Sequence, residues 1–100
     1  MSDGAASKAD AAGAATLSLR VDELKWTETD RGVTVLDLRS ARYLQLNRSG
    51  AVLWTRLSVG ATVEQLIDAL CTRYGIETER ARHDVDEFLA ALRTRNFLAP

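Results

Sequence analysis

Few side chains in this 100-residue chain are suited to covalent chemistry: one cysteine, Cys71, one histidine, His83, and the carboxylate beside it, Asp84. A nucleophile needs a base within hydrogen-bond reach. Cys71 follows Leu70 in a segment of helical apolar spacing, where a cysteine serves as a small hydrophobe. His83 and Asp84 are consecutive, and neighbours on a helix do not face each other, so they form no acid–base pair. One Cys and one His fall short of the ligand count of an ordinary metal site and exclude an internal disulfide. No glycine-rich phosphate loop is present. The chain reads as a non-catalytic subunit with no cofactor or metal of its own.

What remains is binding, and charge narrows the partner. The 13 Lys+Arg and 14 Asp+Glu residues nearly cancel, to a net charge of −1, so no field concentrates nucleic acid or an anionic membrane. The segment after Thr78 carries Arg80, Arg82, Arg93 and Arg95 but is acidic in its middle, at Asp84, Asp86 and Glu87. A recognition helix approaching phosphates has the opposite need. A winged-helix DNA-binding regulator is therefore the alternative, not the main reading. No apolar run reaches the roughly 18 residues of a membrane span, and the N-terminus lacks the regions of a secretory signal. A cytoplasmic protein, monomeric or weakly dimeric, is expected.

The elements that must position a binding site follow from periodicity. Residues 1–16 are mostly Ala, Gly, Ser and Asp with no large apolar side chain beyond Met1, and are expected to form a disordered tail ahead of one domain spanning 17–100. Leu17, Leu19 and Val21 alternate, then Leu24 and Trp26 continue at the opposite parity, which predicts a bulge or bend near Asp22-Glu23. Val33 to Leu38 is a β-branched second strand, and Tyr43 to Leu46 a short third one ending at Asn47, a helix N-cap. Val52, Leu53, Trp54 and Leu57 make a first helix up to the turn Val59-Gly60. Thr62 and Gln65 form a capping box before a second helix that Gly75 ends. Thr78 is expected to cap a third helix with an apolar stripe of Ala81, Val85, Phe88 and Leu92. The fold class is α+β: a three-stranded antiparallel sheet followed by three helices, like a winged helix-turn-helix with its strands first.

The run Arg42 to Trp54, where a strand pattern turns helical at Asn47, together with Val59-Gly60, Thr62 to Leu66 and Ala81 to Leu92, resembles the PqqD-like family over roughly residues 17–98. Such proteins are precursor-peptide recognition elements of ribosomally made, modified peptides. The resemblance implies that a leader peptide adds as an antiparallel strand to the third strand, at Arg42, Tyr43, Leu44, Gln45 and Leu46. Its side chains would enter a cleft toward the third helix, at Asp84, Val85, Glu87, Phe88 and Ala91. Leu44, at the middle of the edge, is the expected N–H donor if that group faces outward. Members with this pattern resemble those of lasso-peptide pathways, whose partners are a separate leader peptidase and cyclase. Another branch serves radical SAM enzymes, as in pyrroloquinoline quinone formation. Any cofactor then belongs to the partner. Family members commonly have Gly where Ala41 stands, so the hairpin here must avoid a positive φ or accept strain.

Overall fold

The computed structural model describes residues 15–100, and most of the tail expected over 1–16 lies outside them. Strands β1 (Leu24–Thr29), β2 (Gly32–Asp37) and β3 (Arg42–Leu46) form one antiparallel sheet in the order β1-β2-β3. Helices α1 (Arg48–Ser58), α2 (Val63–Tyr74) and α3 (Thr78–Thr94) follow, which makes the fold α+β. The likeness to a winged helix is a loose one.

The register sorts side chains by parity. Trp26, Val35 and Leu44 lie opposite one another and share the inner face with Leu24, Val33 and Leu46, while Thr27, Thr34 and Gln45 lie on the outer face. α1 carries the centre of the core. Trp54, fully buried, meets the rings of Trp26 and Phe97 edge-on at centroid distances of 5.5 and 6.2 Å, within the range in which such pairs add to area burial. α1 thereby joins the sheet to the segment that follows α3.

Local chemistry sets the helix ends. Asn47 accepts the Gly50 N–H at 2.9 Å, and Thr62 and Gln65 close a reciprocal capping box at 3.1 and 2.9 Å. Gly75 ends α2 at φ +65°, a left-handed conformation that suits glycine. Two expectations need correction. Thr78 is the first residue of α3 rather than its cap; Glu77 occupies the cap position and makes no side-chain capping bond. The buried stripe of α3 is Ala81, Val85, Leu89 and Leu92. Phe88 is only half-buried, because one further helical step turns it off the core-facing line. The bulge or bend expected near Asp22-Glu23 is a bend, a 3₁₀ turn over Val21–Glu23. That turn advances the chain by three residues, leaving Val21 47% exposed and Leu24 buried. Leu17 and Leu19 form single bridges to Ala61 and Leu98 and do not extend the sheet.

The β2–β3 hairpin is the most constrained part of the backbone. A Cβ on Gly32, at φ +143°, would collide with the Leu46 carbonyl oxygen. Ala41, at φ +59°, accepts the strain that a glycine would avoid, and its N–H donates to the Asp37 carbonyl at 2.8 Å. The buried Asp37 carboxylate accepts the Arg39 N–H at 3.0 Å and the Ser40 hydroxyl at 2.9 Å. The Arg39 N–H chiefly, then Ser40 and the Arg39 charge, hold its pKa below the ordinary 3.8 against the opposing effect of burial.

Ala41→Gly is expected to stabilise the fold by about 0.5–1 kcal/mol and Gly32→Ala to destabilise it by at least about 2 kcal/mol, both measured by denaturant unfolding. A carboxylate with a depressed folded pKa contributes stability that is present above its unfolded pKa and lost as pH falls through the folded one. Unfolding curves below about pH 4 should therefore show a loss of stability in the wild type that is reduced in Asp37→Asn.

Candidate functional site

The direction in which β3 points its backbone groups follows from the hairpin. In an antiparallel strand, N–H and C=O of one residue face the same neighbour, and consecutive residues alternate. The Asp37 carbonyl turns toward the β3 side of β2, where it accepts the Ala41 N–H, and the Leu38 N–H turns the other way, to Glu23. The Leu46 carbonyl lies against Gly32 of β2. Both ends of the ladder give one parity: Arg42, Leu44 and Leu46 bond inward to Asp37, Val35 and Val33, and Tyr43 and Gln45 face outward. β3 is the last strand of the sheet, so these groups are open. The Leu44 N–H is therefore committed to β2, contrary to its expected role as the docking donor.

A groove separates this edge from α3. At one end, a depression of about 580 Å³ is lined by Asp37, Ser40, Arg42, Ala91, Thr94 and Arg95. At the other, one of about 500 Å³ lies between Asn47 and Arg48 at the end of β3, Leu70 and Ile76 beneath it, and Arg80 and Asp84 on α3. α3 thus runs opposite to β3, with Arg80, Asp84, Phe88, Ala91 and Arg95, spaced four, four, three and four residues apart, on the groove side. Leu44, Leu46 and Phe88 are half-buried, touch the margin of the core and leave apolar surface for the floor. β3 spans about 13 Å from Arg42 to Leu46, and Asp84 to Ala91 spans about 10 Å of the longer helix wall.

Most of the residues expected at a site meet here, with two qualifications. Val85 is fully buried among the core residues, one step round the helix from Asp84, so it supports the groove wall without lining it. Glu87 stands on the rim, where its carboxylate lies 3.4 Å from His83 and both side chains are 71% exposed. The sequence reading missed Arg31, Arg48, Arg80 and the apolar Leu70, Tyr74 and Ile76 around Asp84. They come from five different elements and turns, and no local spacing pointed to their convergence. Among the described residues, Arg31, Arg42, Arg48, Arg80 and Arg95 have no carboxylate within ion-pair distance. Among the described residues, each end of the groove therefore carries guanidinium groups with no carboxylate in ion-pair distance, beside one acid, Asp84 or Asp37.

A larger depression, about 860 Å³, lies elsewhere, among the β1–β2 turn, α1 and α2, and includes none of the expected residues. It is lined by Glu28 and Thr29 at the end of edge strand β1, but by no residue of β3 or α3. No cluster of three or more metal-ligating side chains occurs among the described residues. No described helix is long and apolar enough to cross a membrane.

Comparison with known proteins gives consistent results. Residues 32–98 match the model of the family described as coenzyme PQQ synthesis protein D. No curated protein matches the sequence significantly. Among solved structures, lasso peptide synthetase B1 complexed with the leader peptide is 30% identical, with a TM-score of 0.72, over 84% of this chain and 98% of that one. TbiB1 in complex with the TbiA(beta) leader peptide is 27% identical, with a TM-score of 0.74, over 81% and 93%. The PqqD part of Methylobacterium extorquens PqqCD, a stand-alone recognition element, shares the fold at 17% identity and a TM-score of 0.69, over 88% and 93%.

Proposed function

Because the chain belongs to the PqqD family, we propose that it binds the leader segment of a ribosomally synthesised precursor peptide by strand addition along β3 and presents it to separate modifying enzymes. The observation that carries this reading is the outward-facing backbone of Tyr43 and Gln45 beside the groove that α3 walls. Backbone pairing supplies affinity that depends little on leader sequence, and the groove selects alternate side chains. Apolar leader side chains suit the floor of Leu44, Leu46 and Phe88, while acidic ones suit the guanidiniums at either end. An antiparallel leader would enter beside Asn47 and Asp84 and leave beside Arg42 and Arg95.

The likeness to lasso-pathway leader complexes favours a leader peptidase and a cyclase as the enzymes served. The chain does no chemistry in this scheme. It holds the substrate near enzymes that carry whatever cofactors they need, in the cytoplasm, and proximity does the rest. Strand addition suits such a handover, since a short edge of about five residues releases what it binds more readily than a long one.

Tyr43→Pro removes one outward N–H without touching the ladder to β2, whereas Tyr43→Ala removes only the side chain. Titration with the leader half of the co-encoded precursor peptide should show at least about a tenfold larger loss of affinity for Tyr43→Pro than for Tyr43→Ala. Undiminished binding by a folded Tyr43→Pro variant would place docking on another edge, such as that of β1. Asp84→Arg, in the groove wall but outside the core, is expected to change leader affinity at least about threefold with an unchanged unfolding midpoint. Equal affinity would remove Asp84 from the site.

A further inference from the structure

The groove does not stop where β3 does. Arg48 and Tyr74 line both the depression beside Asp84 and the one of about 860 Å³ among the β1–β2 turn, α1 and α2, so the two adjoin. The helices bring three guanidiniums to the larger depression, from Arg48 and Arg56 on α1 and Arg73 on α2. Its carboxylates, Glu28 and Asp30, come from the other bank, at the end of β1 and its turn. Among the described residues, neither lies within ion-pair distance of the three arginines. Arg56 and Arg73 stand in last helical turns, where the dipole favours a cation. Arg48 is the first residue of α1, where the dipole disfavours one. Its Nε–H donates to the Asp30 carbonyl at 2.9 Å, which fixes the guanidinium at the junction of the two depressions.

A strand added antiparallel to β3 has its N-terminal flank at the Asn47 end, so the residues that precede it arrive at Arg48 and Tyr74. We propose that the larger depression is a second peptide subsite, which takes a carboxylate-bearing stretch of the precursor immediately N-terminal to the docking strand. This rests on the strand-addition reading above. Arg48 makes the junction contact, with its terminal nitrogens placed for a carboxylate fork, and Arg73 and Arg56 continue the path. Arg56, which also borders Glu64 and Asp68 beyond it, closes the far end. From Arg48 to Arg56 is eight helical residues, or about 12 Å, which an extended peptide crosses in about four. The acidic residues recognised are therefore those within about four positions of the docking strand. Backbone pairing on β3 depends little on sequence, whereas this subsite selects charge and weakens with salt.

The test uses the full chain and synthetic fragments of the leader half of the co-encoded precursor peptide. The shortest fragment that binds the wild type defines the docking strand, and binding by none of them would sink the strand-addition reading together with this inference. That fragment is then extended at its N-terminus by four residues that carry either two glutamates or two lysines. At low ionic strength the glutamate extension should bind at least about fivefold more tightly than the lysine extension. At about 1 M salt, where the Debye length is about 3 Å, the preference should fall below about twofold. Arg56→Glu combined with Arg73→Glu should reverse the preference and keep affinity for the unextended fragment within about twofold. Lys25→Glu combined with Arg93→Glu makes the same change of charge outside both depressions and should leave the preference in place. Should the first pair fail to fold by circular dichroism, Arg56→Gln combined with Arg73→Gln is expected to reduce the preference at least about twofold. Equal affinity for the two extensions in the wild type, or the same change of preference in both charge-reversed pairs, overturns the inference and leaves strand addition standing.

Discussion

The close approach of the Leu46 carbonyl to Gly32 governs the rest of the molecule. It sets the register of β3 on β2, and register in a two-faced strand decides both which side chains turn inward and which backbone groups stay open. A slip by one residue would bury Tyr43 and Gln45, expose Leu44 and Leu46, and exchange the open N–H groups for committed ones. Only glycine permits the contact, because any Cβ at φ +143° would collide with the oxygen. The opposite end of the ladder is held by Asp37, whose carboxylate organises the turn through Arg39 and Ser40. The two constraints bracket a five-residue strand that has little apolar contact of its own beyond Leu44 and Leu46.

Behind that strand, the core is arranged to leave one flank uncovered. α1 carries Trp54 against the sheet, and α3 packs mainly on α2. α3 and the sheet are separated by open depressions toward both ends of the helix, and these are the two ends of the groove. An open edge is ordinarily an aggregation hazard, managed by shortness and charge. Here the strand is five residues long, with Arg42 at its start and Arg48 just beyond its end. The same two devices that discourage adventitious pairing leave enough edge for one specific strand.

Much of this was legible in the residues. Asn47, the Thr62 and Gln65 box and Gly75 punctuate the helices through side-chain chemistry that acts within four residues, so their positions could be read directly. The parity of Tyr43 and Gln45 against Leu44 and Leu46 was legible for the same reason. What was hidden depends on other parts of the chain. The direction of the Leu44 N–H is fixed by contacts of Gly32 and Asp37, not by Leu44. Leu89 displaced Phe88 from the buried stripe because both fit a helical spacing, and only the position of α2 selects between them. Arg31 and Asp84 line one depression although more than fifty residues of sequence separate them, a convergence that periodicity has no means to express.

The backbone enters and leaves the fold side by side. Leu19 bridges Leu98, and the Ala99 N–H donates to the Ser18 carbonyl at 2.8 Å. Both crossings lie apart from the residues that line the groove. A fold whose two ends meet in this way behaves as a cartridge: it can be spliced into a host chain or joined to one at either side without moving the strands between. The bridge thus keeps the chain's points of entry and exit on residues other than those that line the groove.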